Sequence, residues 1–186
     1  LPPRITEGGG YSDDMMIDTA MSKYCDLIPI ERQAKMAERE GVKDLAPNSL
    51  IGLTHYLAGF VESAYNLLKD EFLASRLSHA DETPHRMLEG DKTSNWYLWG
   101  FSTEKTCYLE AQDTRSGDVV IELLKESQCR YLMTDKFSGY DRAVKEVNKQ
   151  RKSQGLELII NLLCNAHARR KFKDAESSEP EKSEYY

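Results

Sequence analysis

The sequence predicts an α/β protein in which a mixed β-sheet follows a segment of helices. Apolar residues between residues 13 and 74 recur every three or four positions, which is typical of amphipathic helices. Three short strand-like runs follow between residues 76 and 112. From residue 114 onward helical and strand-like segments alternate, and this alternation indicates parallel strands joined by crossover helices.

The first helix is predicted after a lead-in rich in proline and glycine, with Asp13 or Asp14 as its N-cap. A second helix follows Pro29 and ends at Gly41, and a third begins at Pro47. Two short helices before a third superficially match a helix-turn-helix motif. The third helix offers only one Lys or Arg to a phosphate backbone, so we interpret all three as scaffold helices.

The strand-like runs are predicted to form the antiparallel part of the sheet. The run RLSHADE, residues 76–82, is predicted to be a strand that ends on two adjacent acids, Asp81 and Glu82. Two aromatic-rich runs, residues 94–102 and 105–112, flank a short turn and are therefore predicted to form a hairpin.

The remaining elements alternate between helix and strand. Ser116 is expected to cap the first of these helices, and Gly155 to end the second. The second strand is an apolar run and is predicted to be buried. The predicted segments are a helix over 114–127, a strand over 130–135, a helix over 140–155, a strand over 156–164 and a helix from 166. The order β-β-β-α-β-α-β-α is that of a ribonuclease-H-like fold, in which the first and fourth strands are neighbours.

Two acids are expected to meet at one edge of this sheet. Parallel strands with crossover connections place functional residues at their carboxyl ends, and both Asp81 and Asp135 occupy such ends. They are separated by 135 − 81 = 54 positions and become neighbours if their strands pair. Two adjacent carboxylates favour a divalent cation. Glu82 is expected to point away from Asp81, because side chains alternate along a strand, and to be structural or solvent-facing.

Composition limits the classes of function. The chain has 186 residues and a formal net charge of −6, which argues against a protein that simply coats nucleic acid. No apolar run is long enough to span a membrane. The four cysteines lack the spacing of a metal site, so we expect reduced thiols in a cytoplasmic protein.

Basic residues near the predicted sheet edge are candidate DNA contacts. Arg115 begins the first crossover helix, whose N-terminus is suited to bind phosphate. Cys164 and His167 form a C-x-x-H pair, which is too small for a zinc site. One interpretation is a buried thiol at a strand end with a helix-capping histidine. In the other, His167 lies beside the acids and contacts either them and their ligand or a DNA phosphate. The predicted DNA-binding residues are Arg115, His167, Arg169, Arg170 and Lys171.

Four sequence motifs point to a known family. The runs ADET, TRSGDV, TDKFSGY and CNAHARRKF occur in this order and at suitable spacing. Together they resemble the catalytic region of the insertion-sequence-66 family of bacterial DDE transposases, and the resemblance extends from about Tyr24 to Phe172. It implies a ribonuclease-H-like catalytic domain that cuts and rejoins DNA with Mg²⁺ or Mn²⁺. Asp81 and Asp135 match the first and second acids of the catalytic triad.

The third acid of the triad is not assigned. In the family it is a glutamate on a late helix, well beyond the segment that contains His167. The resemblance therefore places the third catalytic glutamate beyond residue 186, and none of the C-terminal glutamates is given this role: Glu176, Glu179, Glu181 and Glu184. We accordingly expect an incomplete catalytic domain that is inactive, or nearly so, by itself.

The predicted organisation has three parts. Residues 1–75 form a lead-in and helical segment, residues 76–175 a ribonuclease-H-like catalytic domain, and residues 176–186 an acidic tail that is expected to be disordered. The resemblance implies that the partners are transposon ends and target DNA, and that a homo-oligomer acts on them in the bacterial cytoplasm. Two alternatives remain, a stand-alone metal-dependent nuclease and a non-catalytic remnant that serves as an interaction module.

Overall fold

The computed structural model describes residues 10–87 and 95–178. In chain order the elements are α1 (Asp13–Tyr24), α2 (Ile30–Arg39), α3 (Pro47–Ala74), β1 (Leu77–Arg86), β2 (Asn95–Ser102), β3 (Cys107–Gln112), α4 (Asp118–Glu126), β4 (Tyr131–Thr134), α5 (Ser138–Ser153), β5 (Ile160–Leu163) and α6 (Asn165–Ser178). Within the described ranges no helix combines the length and the apolar character that a membrane span requires.

The chain divides into two compact units, Leu1–Tyr65 and Asn66–Tyr186, and the boundary falls within α3. The predicted boundaries at residues 75 and 175 stay predictions. The predicted tail begins inside α6, which continues to Ser178, and its remaining glutamates at positions 179, 181 and 184 lie outside the described residues.

The first unit contains α1, α2 and the larger part of α3. The N-cap of α1 is Ser12, whose hydroxyl accepts the N–H of Met15 at 3.2 Å, rather than either of the following aspartates. Since both aspartates lie in the first turn, they still interact favourably with the positive end of the helix dipole. The second helix ends as predicted before Gly41, whose φ of +94° favours glycine.

The second unit contains a five-stranded mixed sheet with the order β3-β2-β1-β4-β5. The pairs β1–β2 and β2–β3 are antiparallel, whereas β1–β4 and β4–β5 are parallel. The predicted fold class is therefore confirmed. The first and fourth strands are neighbours, as predicted, and the expected proximity of Asp81 and Asp135 depends on this pairing.

Helices α4 and α5 and the end of α3 pack against the sheet. Phe72, Trp99, Leu132, Val120 and Val147 are almost completely buried in this core. Burial of such side chains contributes about 1.5–3 kcal/mol each and holds the helices on the sheet. The indole N–H of Trp99 also donates to the carbonyl of Thr114 at 3.2 Å, which fixes the loop before α4.

Two glycines allow the beginnings of α4 and α5 to approach each other closely. A Cβ atom on Gly117 would lie 2.5 Å from the carbonyl oxygen of Gly139, so a larger residue at this position requires a shift of the backbone. Gly117 is also the N-cap of α4, although Ser116 was predicted for that position. The Ser116 hydroxyl still accepts the N–H of Asp118 at 3.2 Å, so it stabilises the same helix end from one residue earlier.

Two predicted strands differ from those observed. Strand β1 does not end at Glu82 but continues to Arg86, where it pairs with β2 alone. Pro84 is compatible with this extension because β4 has already ended and requires no N–H from it. Strand β5 spans only Ile160–Leu163 and is shorter than the predicted strand. It is also not buried as predicted, because it is the outermost strand of the sheet, and Leu163 is 56% exposed.

Candidate active site

The pairing of β1 with β4 aligns Asp81 with Asp135. The strands pair in parallel from Leu77 opposite Tyr131 to His79 opposite Met133, an offset of 54 positions. Continued for two residues past the last paired position, the same offset would bring Asp81 level with Asp135. Since β4 ends at Thr134 while β1 continues, both acids lie where the two strands separate.

Each of the two carboxylates uses one oxygen for a main-chain contact. Asp81 Oδ1 accepts the N–H of Glu82 at 3.1 Å, and Asp135 Oδ1 accepts the N–H of Phe137 at 2.8 Å. The second oxygen of each carboxylate accepts no hydrogen bond from any described residue. Nε2 of His167 lies 3.9 Å from Asp81 Oδ2, and the Asp81 side chain is 65% exposed. Each aspartate therefore has an oxygen available to a ligand.

The two aspartates fit a hydrated divalent cation. Mg²⁺ prefers oxygen ligands and is commonly held by one or two carboxylates together with water and substrate phosphates. Within the described residues, no group of three or more His, Cys, Asp or Glu side chains is arranged to hold a metal ion. Two carboxylates that each have an available oxygen have the chemistry to bind such an ion together with water.

Glu82 lies on the opposite face of β1 and is buried, with a side chain that is 1% exposed. Its Oε1 accepts two hydrogen bonds from Arg115, from Nε at 2.8 Å and from Nη2 at 2.6 Å. Its Oε2 accepts the hydroxyl of Tyr140 at 2.5 Å. Glu82 therefore points away from Asp81, as predicted. The sequence left open whether its side chain is structural or faces solvent, and the structure shows a buried, structural side chain.

The buried carboxylate shifts the titration of both partners. Burial, followed by the hydrogen bond to Glu82, raises the pKa of Tyr140 well above its usual range, and the negative charges of Asp81 and Asp135 add to the effect. The hydrogen bond to Glu82 raises the pKa of Arg115. Tyr140 therefore remains a neutral hydrogen-bond donor and Arg115 a cation at any physiological pH.

A cleft of about 380 Å³ opens beside Asp135. The guanidinium of Arg115 lies over the ring of Phe137, with 4.4 Å between its central carbon and the ring centroid. The residues that line the cleft are Arg115, Asp135, Lys136, Phe137, Leu163, Cys164, His167, Ala168 and Lys171. Three cations and a histidine thus lie around one carboxylate, on a partly apolar surface.

The predicted DNA-binding residues divide into two groups. Arg115, His167 and Lys171 line the cleft beside the aspartates, whereas Arg169 and Arg170 are exposed on α6 and do not line it. Lys136 and Phe137 were missed, although both lie in the TDKFSGY motif directly after Asp135. The roles of all these residues in catalysis and DNA binding stay predictions.

Comparison with known proteins identifies the family. The chain matches the family described as "Transposase IS66 family" over residues 8–185, which is nearly its whole length. The chain belongs to the IS66 transposase family. The resemblance expected from the four motifs is therefore confirmed, together with membership among the DDE transposases.

Relatives of this IS66 transposase chain include a curated protein and a solved structure. The "Uncharacterized protein y4qI" of Sinorhizobium fredii (strain NBRC 101917 / NGR234) is 26% identical over 185 residues, which are 93% of this chain. The chain spans about a third (33%) of the length of that relative. The solved structure is the cryo-EM structure of the simian T-cell lymphotropic virus intasome in complex with PP2A regulatory subunit B56 gamma. One chain of it is similar to this chain with a TM-score of 0.36 and 12% identity. The similarity covers 59% of this chain and 44% of that chain.

In this IS66 transposase chain, Cys164 follows β5 directly and lies at the same edge as the aspartates. Its N–H donates to the carbonyl of Thr134 at 2.8 Å. The backbone N–H of His167, followed by its side chain, lowers the pKa of the Cys164 thiol. The C-x-x-H pair is therefore a contact between a helix N-terminus and a sulfur atom, which favours the thiolate.

We expect the alkylation of Cys164 to depend on His167. Replacement of His167 by Ala removes the contribution of the imidazole to the lowered pKa of Cys164 and keeps the contribution of the backbone N–H. Because the thiolate is the form that reacts with iodoacetamide, the pH at which labelling reaches half of its maximal rate should increase. The measurement is the labelling rate of the Cys164 peptide by mass spectrometry over a pH series. An identical midpoint in the wild type and His167→Ala would show that the imidazole does not stabilise the thiolate.

Proposed function

We propose that this chain carries the first two catalytic acids of a DDE transposase, which cleaves the ends of an insertion sequence and joins them to target DNA. The observation that carries the proposal is the register of β1 and β4, whose offset of 54 positions equals the separation of Asp81 and Asp135. Both acids follow the paired residues, at the place where the two strands separate. Membership of the IS66 transposase family supports the same reaction.

Asp81 and Asp135 would hold Mg²⁺ or Mn²⁺ through their available oxygens. When bound, such an ion supplies Lewis-acid stabilisation at a phosphoryl oxygen and activates a water or hydroxyl nucleophile. The main-chain N–H groups of Glu82 and Phe137 hold the other oxygen of each carboxylate and so restrict its rotation. The third acid of the triad stays a prediction.

The protein's own hydroxyl groups are not needed as nucleophiles in this scheme. Tyr140 lies near the aspartates, but burial and the hydrogen bond to Glu82 raise its pKa and keep it protonated. This supports direct attack by water or by a DNA hydroxyl over a covalent link between protein and DNA. The cations around the cleft support DNA as the partner. We also propose that a homo-oligomer acts on DNA in the bacterial cytoplasm.

We expect Mn²⁺ to stabilise the wild-type chain through these two acids. With the metal at about ten times its Kd, linkage contributes about 1.4 kcal/mol, which corresponds to a rise of about 3–6 °C in Tm. Asp81→Asn and Asp135→Asn each remove one available carboxylate oxygen and should abolish most of this rise. Thermal melting with and without Mn²⁺ measures the effect.

The matched control is Asp70→Asn, which removes the same charge from an exposed position on α3. It should retain the full increase in Tm. If Mn²⁺ raises the Tm of all four proteins equally, the two aspartates do not form the metal site and the proposed function loses its structural basis.

A further inference from the structure

We propose that Arg115 binds a phosphate of the DNA strand in the cleft beside Asp135, and that Glu82 is the positioning residue that holds Arg115 ready for it. The proposal rests on the proposed function, since it takes DNA as the substrate. It adds a specific phosphate contact and a role for a buried glutamate that does not itself touch the substrate.

The contacts of Arg115 engage its Nε and Nη2 and place the rings of Phe137 and Tyr97 near the guanidinium, with Tyr97 at 6.0 Å. Nε and Nη2 both donate to Glu82 Oε1, and the aromatic ring of Phe137 lies 4.4 Å from the guanidinium carbon. No described residue accepts a hydrogen bond from Nη1. The side chain is 48% exposed and lines the cleft. An ordered arginine with a free donor group at a cleft is suited to bind a phosphate oxygen.

The charges around the cleft complement a phosphodiester. Arg115, Lys136 and Lys171 contribute three positive charges, against one negative charge from Asp135. The carboxylate of Glu82 is buried and faces its two hydrogen-bond partners, so its charge is largely compensated before a substrate arrives. The aspartate in the cleft is also the residue that is proposed to hold the divalent ion, which would further favour a phosphate at this place.

Glu82 is held firmly enough to position another residue. Its side chain is 1% exposed, and Tyr140 donates to the oxygen that Arg115 does not use. An arginine side chain that is mobile before binding loses rotamer entropy when it binds a ligand, and this loss weakens the binding. The contacts with Glu82 and Phe137 already order the Arg115 side chain, so less rotamer entropy is lost when it binds a phosphate. Glu82 should therefore strengthen DNA binding although it is negatively charged.

The Glu82–Arg115 ion pair has either a positioning role or a purely structural one, and the two roles have different consequences for DNA binding. If Glu82 only holds the loop before α4 to the sheet, Glu82→Gln lowers stability and removes a negative charge near DNA. The affinity for DNA should then stay the same or rise. If Glu82 positions Arg115, the same substitution should lower the affinity. The two roles therefore predict opposite signs.

The experiment is a fluorescence-anisotropy titration of a short labelled DNA duplex with the wild-type chain and its variants over a range of salt concentrations. Arg115→Gln should weaken binding about tenfold or more, and the slope of log K against log salt should fall by about one. Arg115→Lys, which keeps the charge but not the planar group, should weaken binding about threefold or more. Glu82→Gln should weaken it about three- to tenfold.

The matched control is Arg76→Gln, which removes an arginine from an exposed ion pair with Glu157 at the other end of β1. It should change the affinity by less than about twofold. Wild-type affinity in Arg115→Gln, or unchanged or tighter binding in Glu82→Gln, would overturn the proposal. If Glu82→Gln does not fold, Arg115→Lys decides, because it leaves Glu82 in place.

Failure of this inference is distinguishable from failure of the proposed function. The Mn²⁺ effect on Tm depends on Asp81 and Asp135 and involves no DNA. Normal DNA binding by the Arg115 variants, together with a metal effect that requires the aspartates, would overturn the inference alone. Absence of DNA binding by the wild-type chain would overturn both.

Discussion

Replacement of Asp81 or Asp135 by Asn should lower the rate of DNA cleavage by the full-length gene product about a thousandfold or more. Stabilisation of the developing charge by a divalent ion contributes several kcal/mol to such reactions, and each 1.36 kcal/mol is about a factor of ten in rate. Asparagine keeps the oxygen that accepts the main-chain N–H and replaces the available one with an amide nitrogen. The substitution therefore removes a proposed metal ligand with little change in shape.

The measurement is Mn²⁺-dependent cleavage and strand transfer on a plasmid that carries the ends of the element. Asp70→Asn is again the matched control and should react at the wild-type rate. Undiminished cleavage by Asp81→Asn would contradict the assignment of the metal ligands. Cleavage by the wild type without strand transfer would favour a stand-alone nuclease. If the wild type shows neither cleavage nor an effect of Mn²⁺ on its Tm, the chain is a non-catalytic remnant.

The alignment of the two aspartates could be predicted because it depends on topology. The order of the elements identifies β1 and β4 as parallel neighbours, and parallel neighbours bring their carboxyl ends to one edge of a sheet. The observed pairing offset of 54 equals the separation of Asp81 and Asp135 in the sequence. No detail of side-chain packing is needed for this step.

The partners of Glu82 could not be predicted in the same way. Arg115 and Tyr140 lie 33 and 58 positions away in the sequence, and they meet Glu82 only because the loop before α4 and the first turn of α5 both reach β1. A signal was nevertheless present. Alternation along β1 places Glu82 on the same face as the buried Ser78 and Ala80, and a buried carboxylate requires a cation or several hydrogen-bond donors.

The basic run KEVNKQRK, residues 145–152, illustrates a second limit of sequence reasoning. A run of this kind is typical of a solvated helix face, but one of its cations, Arg151, is only 7% exposed. Its helical period places it beside Val144 and Val147, which are in the core. A charged residue at a core-facing position is a sign of a structural hydrogen-bond network rather than of a DNA contact.

Arg151, on α5, joins the end of α4, the loop between α4 and β4, and the segment before β5 through their carbonyl groups. Nη1 donates to the carbonyls of Cys129 at 2.7 Å and Glu157 at 3.2 Å. Nη2 donates to the carbonyls of Ser127 at 2.6 Å and Leu124 at 3.3 Å. Burial lowers the pKa of Arg151 but leaves it charged at physiological pH. The cation thereby satisfies carbonyl groups at the C-terminal end of α4, where the helix dipole also favours it.

Arg151→Met should therefore destabilise the chain by about 3–5 kcal/mol, because it leaves several buried carbonyls without a donor. Unfolding in urea, followed by circular dichroism, measures the loss. Lys152→Met is the matched control: it removes a neighbouring, exposed cation from the same run and should change stability by less than about 0.5 kcal/mol. Equal stability of Arg151→Met and the wild type would show that water replaces the guanidinium without cost. A large loss would place this arginine in the architecture that holds β4, and with it Asp135, in register.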